Sequence, residues 1–361
     1  MNASPLEQHP AGAPLHYIVA LSGGVDSSTA AALLLQEGHR VTAVTLGILN
    51  APGCDHLRLR QNLADAARVA GVLGVTHRVV DISREFTEEV VAPFVQEYAA
   101  GRTPNPCVRC NRLIKFKVML DIAAELGADA VASGHYAQIV RDDAGRCHLH
   151  RGIDDSRDQS YFLYNLTQAQ LQRIRFPLGG WTKKDVRALA TRLGLPSVEK
   201  AESRGICFVP DEDYGAFVRT HFPHTLRPGQ VTDMHGARLA DHEGVQFYTI
   251  GQRKGVGAHG ARKFVVRIDG PTGTVVIGDN SDLIRAEMLL DHLNWIVPPP
   301  APQFSAAVKI RSTSPLAPCD VFCLPDDRVR VVFHTPERAV TPGQAGVIYL
   351  GDEAVGGGSI V

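Results

Sequence analysis

The sequence lacks any apolar run approaching the ~18 residues that a bilayer-spanning helix needs, so no helical membrane span is expected. It lacks the marks of a secretory leader as well. Residues 1–14 are polar and proline-dotted, without a basic start or an apolar core. A floppy leader on a cytoplasmic protein is the expectation. Charge of one sign is missing: the formal net charge is -1 over 361 residues. Global charge therefore gives no support for nucleic-acid binding, and any such surface must be a local patch. An even cysteine framework is missing too. Seven cysteines in a long chain argue for free thiols rather than disulfides. Internal repeats and low-complexity tracts are absent.

What remains is ordinary for globular protein, 44% hydrophobic and 21% charged residues. The length implies two or three domains, each large enough to bury a core. Tyr17 to Leu21, Arg40 to Leu49, Thr76 to Ile82 and Ala128 to Ala137 read as strands. Thr29 to Gln36, Leu57 to Leu73, Arg112 to Leu126 and Lys183 to Leu193 read as helices. Thr182 and Asp185 form a capping-box pattern on the last of these. Such alternation implies an α/β fold with a parallel sheet covered on both faces, whose ligands bind at the carboxyl ends of the strands. The texture changes after Asp213, where helical runs thin out. Beyond the stiff Val297-Pro298-Pro299-Pro300 stretch, short β-branched runs separated by Pro and Gly suggest a small β-barrel. The chain divides accordingly into residues 15–213, a small mixed central domain at 214–283, and a β-barrel at 284–361.

One constellation follows the first strand directly: Ser22-Gly23-Gly24-Val25-Asp26-Ser27-Ser28, then a helix. Glycines let backbone N–H groups turn inward and phosphate come close. The helix N-terminus adds unsatisfied N–H groups and a positive dipole end. Ser22, Ser27 and Ser28 offer hydroxyl donors, and Asp26 can position a Mg2+ carried by a pyrophosphate. No Gly-Lys-Ser/Thr ending is present, so this is not a kinase-style phosphate loop. The heptapeptide resembles the PP-loop signature of adenine-nucleotide α-hydrolases, a resemblance that implies ATP cleavage between the α and β phosphates.

A second constellation is Cys107-Val108-Arg109-Cys110, framed by Arg102, Arg109, Arg112, Lys115 and Lys117 with no acid in the stretch from Gly101 to Lys117. With the following helix expected to place its positive end beside Cys110, dipole and cations together predict a lowered pKa and a nucleophilic thiol. The same frame suits nucleic-acid phosphate. No second Cys-x-x-Cys follows, which argues against a four-thiolate zinc ribbon. Cys207, in Gly205-Ile206-Cys207-Phe208, is a second candidate thiol; as a lone cysteine it reads equally as a small buried apolar residue. Cys54, Cys147, Cys319 and Cys323 lack a comparable frame. Lys183-Lys184, Arg253-Lys254 and Arg262-Lys263 could contact tRNA phosphate, but such pairs are more often solvated and are not assigned.

Taken in order, these motifs resemble the tRNA-specific 2-thiouridylases over nearly the whole chain. The match includes Ser133-Gly134-His135-Tyr136-Ala137, Asp158-Gln159-Ser160-Tyr161-Phe162-Leu163, Thr249-Ile250-Gly251-Gln252-Arg253-Lys254-Gly255 and Thr341-Pro342-Gly343-Gln344. The resemblance implies sulfur insertion at C2 of wobble uridine 34 in tRNAs for Lys, Glu and Gln. ATP adenylates the C2 oxygen, a persulfide attacks, and AMP leaves. It implies catalytic roles for Cys110 and, as persulfide carrier, Cys207. ATP contacts are implied at Ala20, Leu21, Ser22, Gly23, Gly24, Val25, Asp26, Ser27, Leu46 and Gly134. Asn105, Pro106 and Cys107 match the segment that meets the target base. Arg157, Asp158 and Gln159 match a tRNA-contacting stretch, as do Arg311 and Ser312 in the barrel. Some members carry Asp at the position of Cys107, and an aromatic at that of Ser312, so acid/base work and base stacking are not assigned there. Cys107, Cys110 and Cys207 could also ligate an iron–sulfur cluster. A cysteine desulfurase or a relay protein is implied as sulfur donor, and a monomer is expected. The competing readings are another PP-loop adenylating ligase or amidotransferase, and a non-catalytic tRNA-binding protein.

Overall fold

β1 (His16–Ala20) is apolar because it is central, with β2 (Arg40–Gly47) on one side and the short strand Ala130–Ala132 on the other. The computed structural model describes residues 13–200, 205–209, 213–255 and 262–361. By contact density the chain forms two compact units. The first takes residues up to Glu89, Cys107–Phe208 and Asp352–Val355; the second takes Val90–Pro106, Val209–Gly351 and Gly356–Val361.

In the first unit, α1 (Val25–Gln36) follows β1, and α2 (His56–Leu73) joins β2 to β3 (Thr76–Asp81). α2 is capped by Asp55, whose carboxylate accepts from the Arg58 N–H at 3.0 Å, and ends on Gly74 in the left-handed region. Further along come β4 (Ala130–Ala132), the hairpin β5 (Ala137–Arg141) and β6 (Cys147–Arg151), and β7 (Ile174–Arg175). The sheet runs β3-β2-β1-β4-β7, parallel throughout. Tyr17 and Val19 of β1 pack with Ala31 and Leu34 of α1, while Ala43 packs with Ala66, Val69 and Ala70 of α2. The sheet is thus covered on both faces, as the alternation predicts. Helix Lys183–Arg192 is capped by Thr182, and Val186, Leu189 and Ala190 are buried along it. Glu353 and Ala354 pair with His150 and Leu149 of β6.

The expected fourth strand is cut to three residues. After Ala132 the chain leaves the sheet, so Ser133 to Tyr136 are free to turn across the carboxyl edge. The expected helix from Arg112 starts earlier, at Pro106, and runs through a π-helical turn at Asn111–Lys115 before continuing as Phe116–Glu125. Proline at the first helical position needs no N–H partner, and it sets the start.

In the second unit, helix Tyr214–His221 leads into a four-stranded sheet of β8 (Gly229–Thr232), β9 (Arg238–His242), β10 (Phe264–Asp269) and β11 (Thr274–Gly278), ordered β10-β11-β8-β9. The barrel is built from β12 (Ile284–Trp295), β13 (Gln303–Lys309), β14 (Ala317–Cys323), β15 (Val329–Arg338), β16 (Ala345–Leu350) and β17 (Glu353–Ile360). Its order is β12-β15-β14-β13-β16-β17, and pairing of Leu290 with Ile360 and of Trp295 with Gly356 closes it. The proline run 298–300 is the loop between β12 and β13, inside the barrel rather than ahead of it. Segment Val90–Pro106 belongs with this unit: the Thr103 N–H donates to the Pro342 carbonyl at 2.8 Å, and the Gln344 side-chain amide donates to the Thr103 carbonyl at 2.9 Å.

Candidate nucleotide and thiol site

The glycine loop leaves the carboxyl end of β1 at Leu21 and enters α1 at Val25. Gly23 sits at φ +71°, and a Cβ there would come within 2.8 Å of the Asp65 side chain and 2.9 Å of the Ala66 nitrogen. Its glycine is required on both counts. Gly24 has an ordinary extended conformation, so its smallness serves only to keep the backbone open. The serines divide. Ser28 is fully buried and donates to the Gly24 carbonyl at 2.8 Å, so it tightens the turn and is not a phosphate donor. The Ser27 hydroxyl likewise donates to Gly24, at 3.1 Å, and accepts from the Ser22 N–H. Ser22 alone of the three is exposed.

Asp26 lies in the first turn of α1, as expected, with two partners that sequence reasoning gave no role. Lys183 places its ammonium 2.7 Å from both carboxylate oxygens, and the Tyr136 hydroxyl donates to Oδ1 at 2.7 Å. Lys183 is buried rather than a solvated charge; only Lys184 beside it is exposed. A lysine at the first position of a helix opposes the helix dipole, and that was the available signal. Burial, then Asp26, pushes the Tyr136 hydroxyl pKa up, so it stays a donor. Gly134 brings its backbone against the same turn: a Cβ there would lie 2.6 Å from the Asp26 carbonyl carbon and 2.7 Å from the Ser27 nitrogen. Leu46, half-buried near the end of β2, stands at the same sheet edge. On the α2 side, a cleft of roughly 240 Å³ beside Gly23 is lined by Asp65, Glu199 and Lys200, with Lys200 bound to Asp65 at 2.7 Å and to Asn62 at 2.8 Å.

Cys107, Cys110 and Cys207 all fall in the first unit and lie close enough that the first two bear on the charge of the third. The expectation of a lowered pKa at Cys110 is overturned. Burial raises the thiols of Cys107 and Cys110, with Lys115 only partly opposing it. The early helix start is one reason: Cys110 stands a turn inside the helix rather than at its positive end. The frame is the other. Arg109 pairs with Glu89 at 2.7 Å, Lys117 with Asp121 at 3.1 Å, and Arg112 donates to Oδ1 of the Asn165 side chain at 2.8 Å. Arg102, in the second unit, pairs with Glu97 at 2.7 Å. Lys115 is left to the thiols; its ammonium stands 3.4 Å from Nε2 of His135, whose Nδ1 meets the Ser133 hydroxyl at 2.7 Å. Burial, then Lys115, holds His135 neutral. Surrounding protein, Cys110 and Cys107 raise the Cys207 thiol too, though its side chain reaches the surface and water tempers the effect. Buried Phe208, next in sequence, packs edge-on against Phe86 at 5.5 Å and ties Cys207 down. Among the described residues no three His, Cys, Asp or Glu side chains are arranged to hold a metal. Cys147 and Cys319 are buried, as expected of thiols without a frame.

The expected tRNA-contacting residues separate. Asp158 has a fully covered side chain that accepts from the Ser160 N–H at 3.0 Å and lies 3.5 Å from Arg151. Gln159 accepts from the Tyr136 N–H at 3.0 Å. Gln159 holds the Tyr136 turn, while Asp158 ties Gly152 to Ser160. Arg157 is half-buried, and its charge is felt by Tyr136 and Asp154. In the second unit, Arg311 donates to the Thr341 hydroxyl at 2.8 Å and the Ala339 carbonyl at 3.2 Å, with half-buried Ser312 beside it. Asn105 is half-buried and Pro106 buried.

The chain is thus a parallel sheet carrying this glycine loop, followed by two β modules, and family models cover all three parts. They match a tRNA methyl transferase HUP domain at residues 15–211, a tRNA methyl transferase PRC-barrel domain at 215–279, and an aminomethyltransferase beta-barrel domain at 285–360. The tRNA-specific 2-thiouridylase MnmA of Magnetococcus marinus is 45% identical over 96% of this chain and 99% of its own. That of Geobacter metallireducens is 46% identical over 95% and 96%. The chain belongs to the tRNA-specific 2-thiouridylase family. Among solved structures, the U34-tRNA thiolase NcsA from Methanococcus maripaludis with its 4Fe-4S cluster is similar over 58% of this chain and 67% of its own, at 19% identity and a TM-score of 0.35. A likeness that loose transfers no ligand.

Proposed function

We propose that this protein is a tRNA 2-thiouridine synthase that spends ATP to activate the C2 oxygen of wobble uridine 34 and replaces it with sulfur. One observation carries the reading: a complete PP-loop and the thiols of Cys110 and Cys207 stand in the same compact unit. A uracil carbonyl oxygen leaves very poorly, whereas AMP leaves well. The Gly23-Gly24 turn and the α1 N-terminus receive the phosphates. Leu46 covers the adenine, and Gly134 lets the chain approach the loop. Mg2+ arriving with the nucleotide would offset the pyrophosphate charge, and Asp26, a hard oxygen donor in the first turn, is the residue to hold it.

The C2 oxygen attacks the α-phosphorus and pyrophosphate departs. The outer sulfur of a Cys207 persulfide then attacks C2; the C2–O bond breaks and AMP leaves with the electron pair. Cys110 attacks the Cys207 sulfur, releasing 2-thiouridine and leaving a Cys110–Cys207 disulfide, which a thiol reductant opens before the next turnover. Asn105, Pro106 and Cys107 meet the base. Arg157 and the exposed pair-forming Arg109 exchange protein partners for tRNA phosphate at little cost, since surface ion pairs are worth ~0–1 kcal/mol. A cysteine desulfurase, directly or through a relay protein, supplies the sulfur. No step is routed through an iron–sulfur cluster.

The test is nucleoside analysis after incubation with ATP, unmodified tRNA and a desulfurase with cysteine. Wild type should yield 2-thiouridine, and Cys207→Ser none, while tRNA-dependent pyrophosphate release survives one turnover. Unchanged 2-thiouridine in Cys207→Ser, or no product in wild type, sinks the reading.

A further inference from the structure

We propose that Lys183 is a nucleotide-binding residue: its ammonium holds the Asp26 carboxylate in the resting protein and passes to the phosphates when ATP enters. The inference rests on the ATP reading above and adds a residue to it.

Three observations meet at this point. Lys183 has a side chain only 10% exposed, with its ammonium 2.7 Å from both oxygens of Asp26. Asp26 is not a remote carboxylate; it is two residues past Gly24, in the first turn of α1. The lysine is also held there at a cost. It opens a helix, where the dipole disfavours a cation, and its own N–H is fixed to the Asp154 carboxylate at 2.9 Å. The fold builds a cation into the floor of an anion site and covers it with the only acid of the loop.

A buried lysine without a counter-charge is expensive, so the ammonium must have an anion at every stage. In the resting state Asp26 supplies it. When a triphosphate arrives, its oxygens supply it instead. The Asp26 carboxylate is then free to face the divalent cation that the nucleotide brings. The Tyr136 hydroxyl, 2.7 Å from Oδ1, keeps Asp26 in place during the exchange, and the Tyr136 ring, 5.9 Å from the ammonium, lies beside its path. Charge is balanced before and after, and no group need be protonated. Lys183 thereby favours ATP over AMP, because the contact is to phosphates that AMP lacks or presents elsewhere.

The experiment is calorimetric titration of the full-length protein with ATP and with AMP, each with and without magnesium, alongside Mn2+ titration followed by electron paramagnetic resonance. Lys183→Met should weaken ATP at least tenfold and AMP less than twofold. It should also tighten Mn2+ binding to the nucleotide-free protein, because Asp26 is uncovered. Lys183→Arg should keep most of the ATP affinity. If Lys183→Met does not fold, Asp26→Asn decides the matter: it releases the lysine and should tighten ATP several-fold in EDTA. Equal losses for ATP and AMP in Lys183→Met, or no change in EDTA for Asp26→Asn, overturn the assignment. Wild-type protein that fails to bind ATP at all would instead defeat the ATP reading.

Discussion

Cys110 shows how a motif can be right about the residue and wrong about its state. The Cys-Asn-x-x-Ile-Lys-Phe run marks the position, but the pairing of Arg109 with Glu89 and of Arg102 with Glu97 is a property of the fold. With its pKa above the ordinary 9.0, the resting thiol is protonated at neutral pH. Iodoacetamide labelling of Cys110, followed by mass spectrometry, should therefore be slow at pH 7.5 and still climbing at pH 9; a plateau below pH 8 would contradict the burial argument. Stability follows the same sign. The unfolded thiol ionises near 9 and the folded one higher, so the contribution is intact below pH 9 and fades as pH rises. Lys183 teaches the converse. As one of a lysine pair it looked solvated, and only the three-dimensional path of the chain brings it to Asp26.

At the scale of elements, the glycine loop was legible because strand, turn and helix are local. Its two glycines are not equivalent, however, and that depends on α2. Gly134→Ala should weaken ATP binding tenfold or more, since its Cβ would fall within 2.6 Å of the Asp26 backbone. Gly24→Ala, whose Cβ meets nothing closer than the Ser22 hydroxyl at 3.4 Å, should cost under threefold. A nucleotide titration of both variants checks this; equal losses would mean that the approach of Gly134 is not what shapes the loop. The π-helical turn at Asn111–Lys115 had no sequence signature. It follows from the Asn111 amide donating to the Phe162 carbonyl at 3.1 Å, a partner 51 residues away, and it turns the Lys115 N–H toward Cys110.

For the whole molecule, the family models divide the chain at residues 15–211, 215–279 and 285–360. Packing groups the chain differently, because Val90–Pro106 is held by the Pro342 to Gln344 turn and by Ser359 rather than by the sheet that precedes it. A protein ending before residue 284 should keep Phe94 and Tyr98 against Phe217 and Tyr214 but leave the Arg102–Pro104 stretch without Pro342, Gln344 and Ser359. Limited trypsin digestion should then cut at Arg102 at least tenfold faster than in the full chain, and thiouridine formation should be lost. Equal cleavage rates would show that the segment is organised without the barrel.

The same interleaving sets an order of events during synthesis. The glycine loop, Lys183 and Gly134 are all complete once the ribosome has passed residue 200, so a nascent chain can hold nucleotide early. The Thr103-Pro104-Asn105 stretch that leads into Cys107 has no backbone partner until Pro342 and Gln344 emerge. On the reading proposed above, chains aborted before that point would hold ATP while the Asn105 segment proposed to meet the base lacks its anchors.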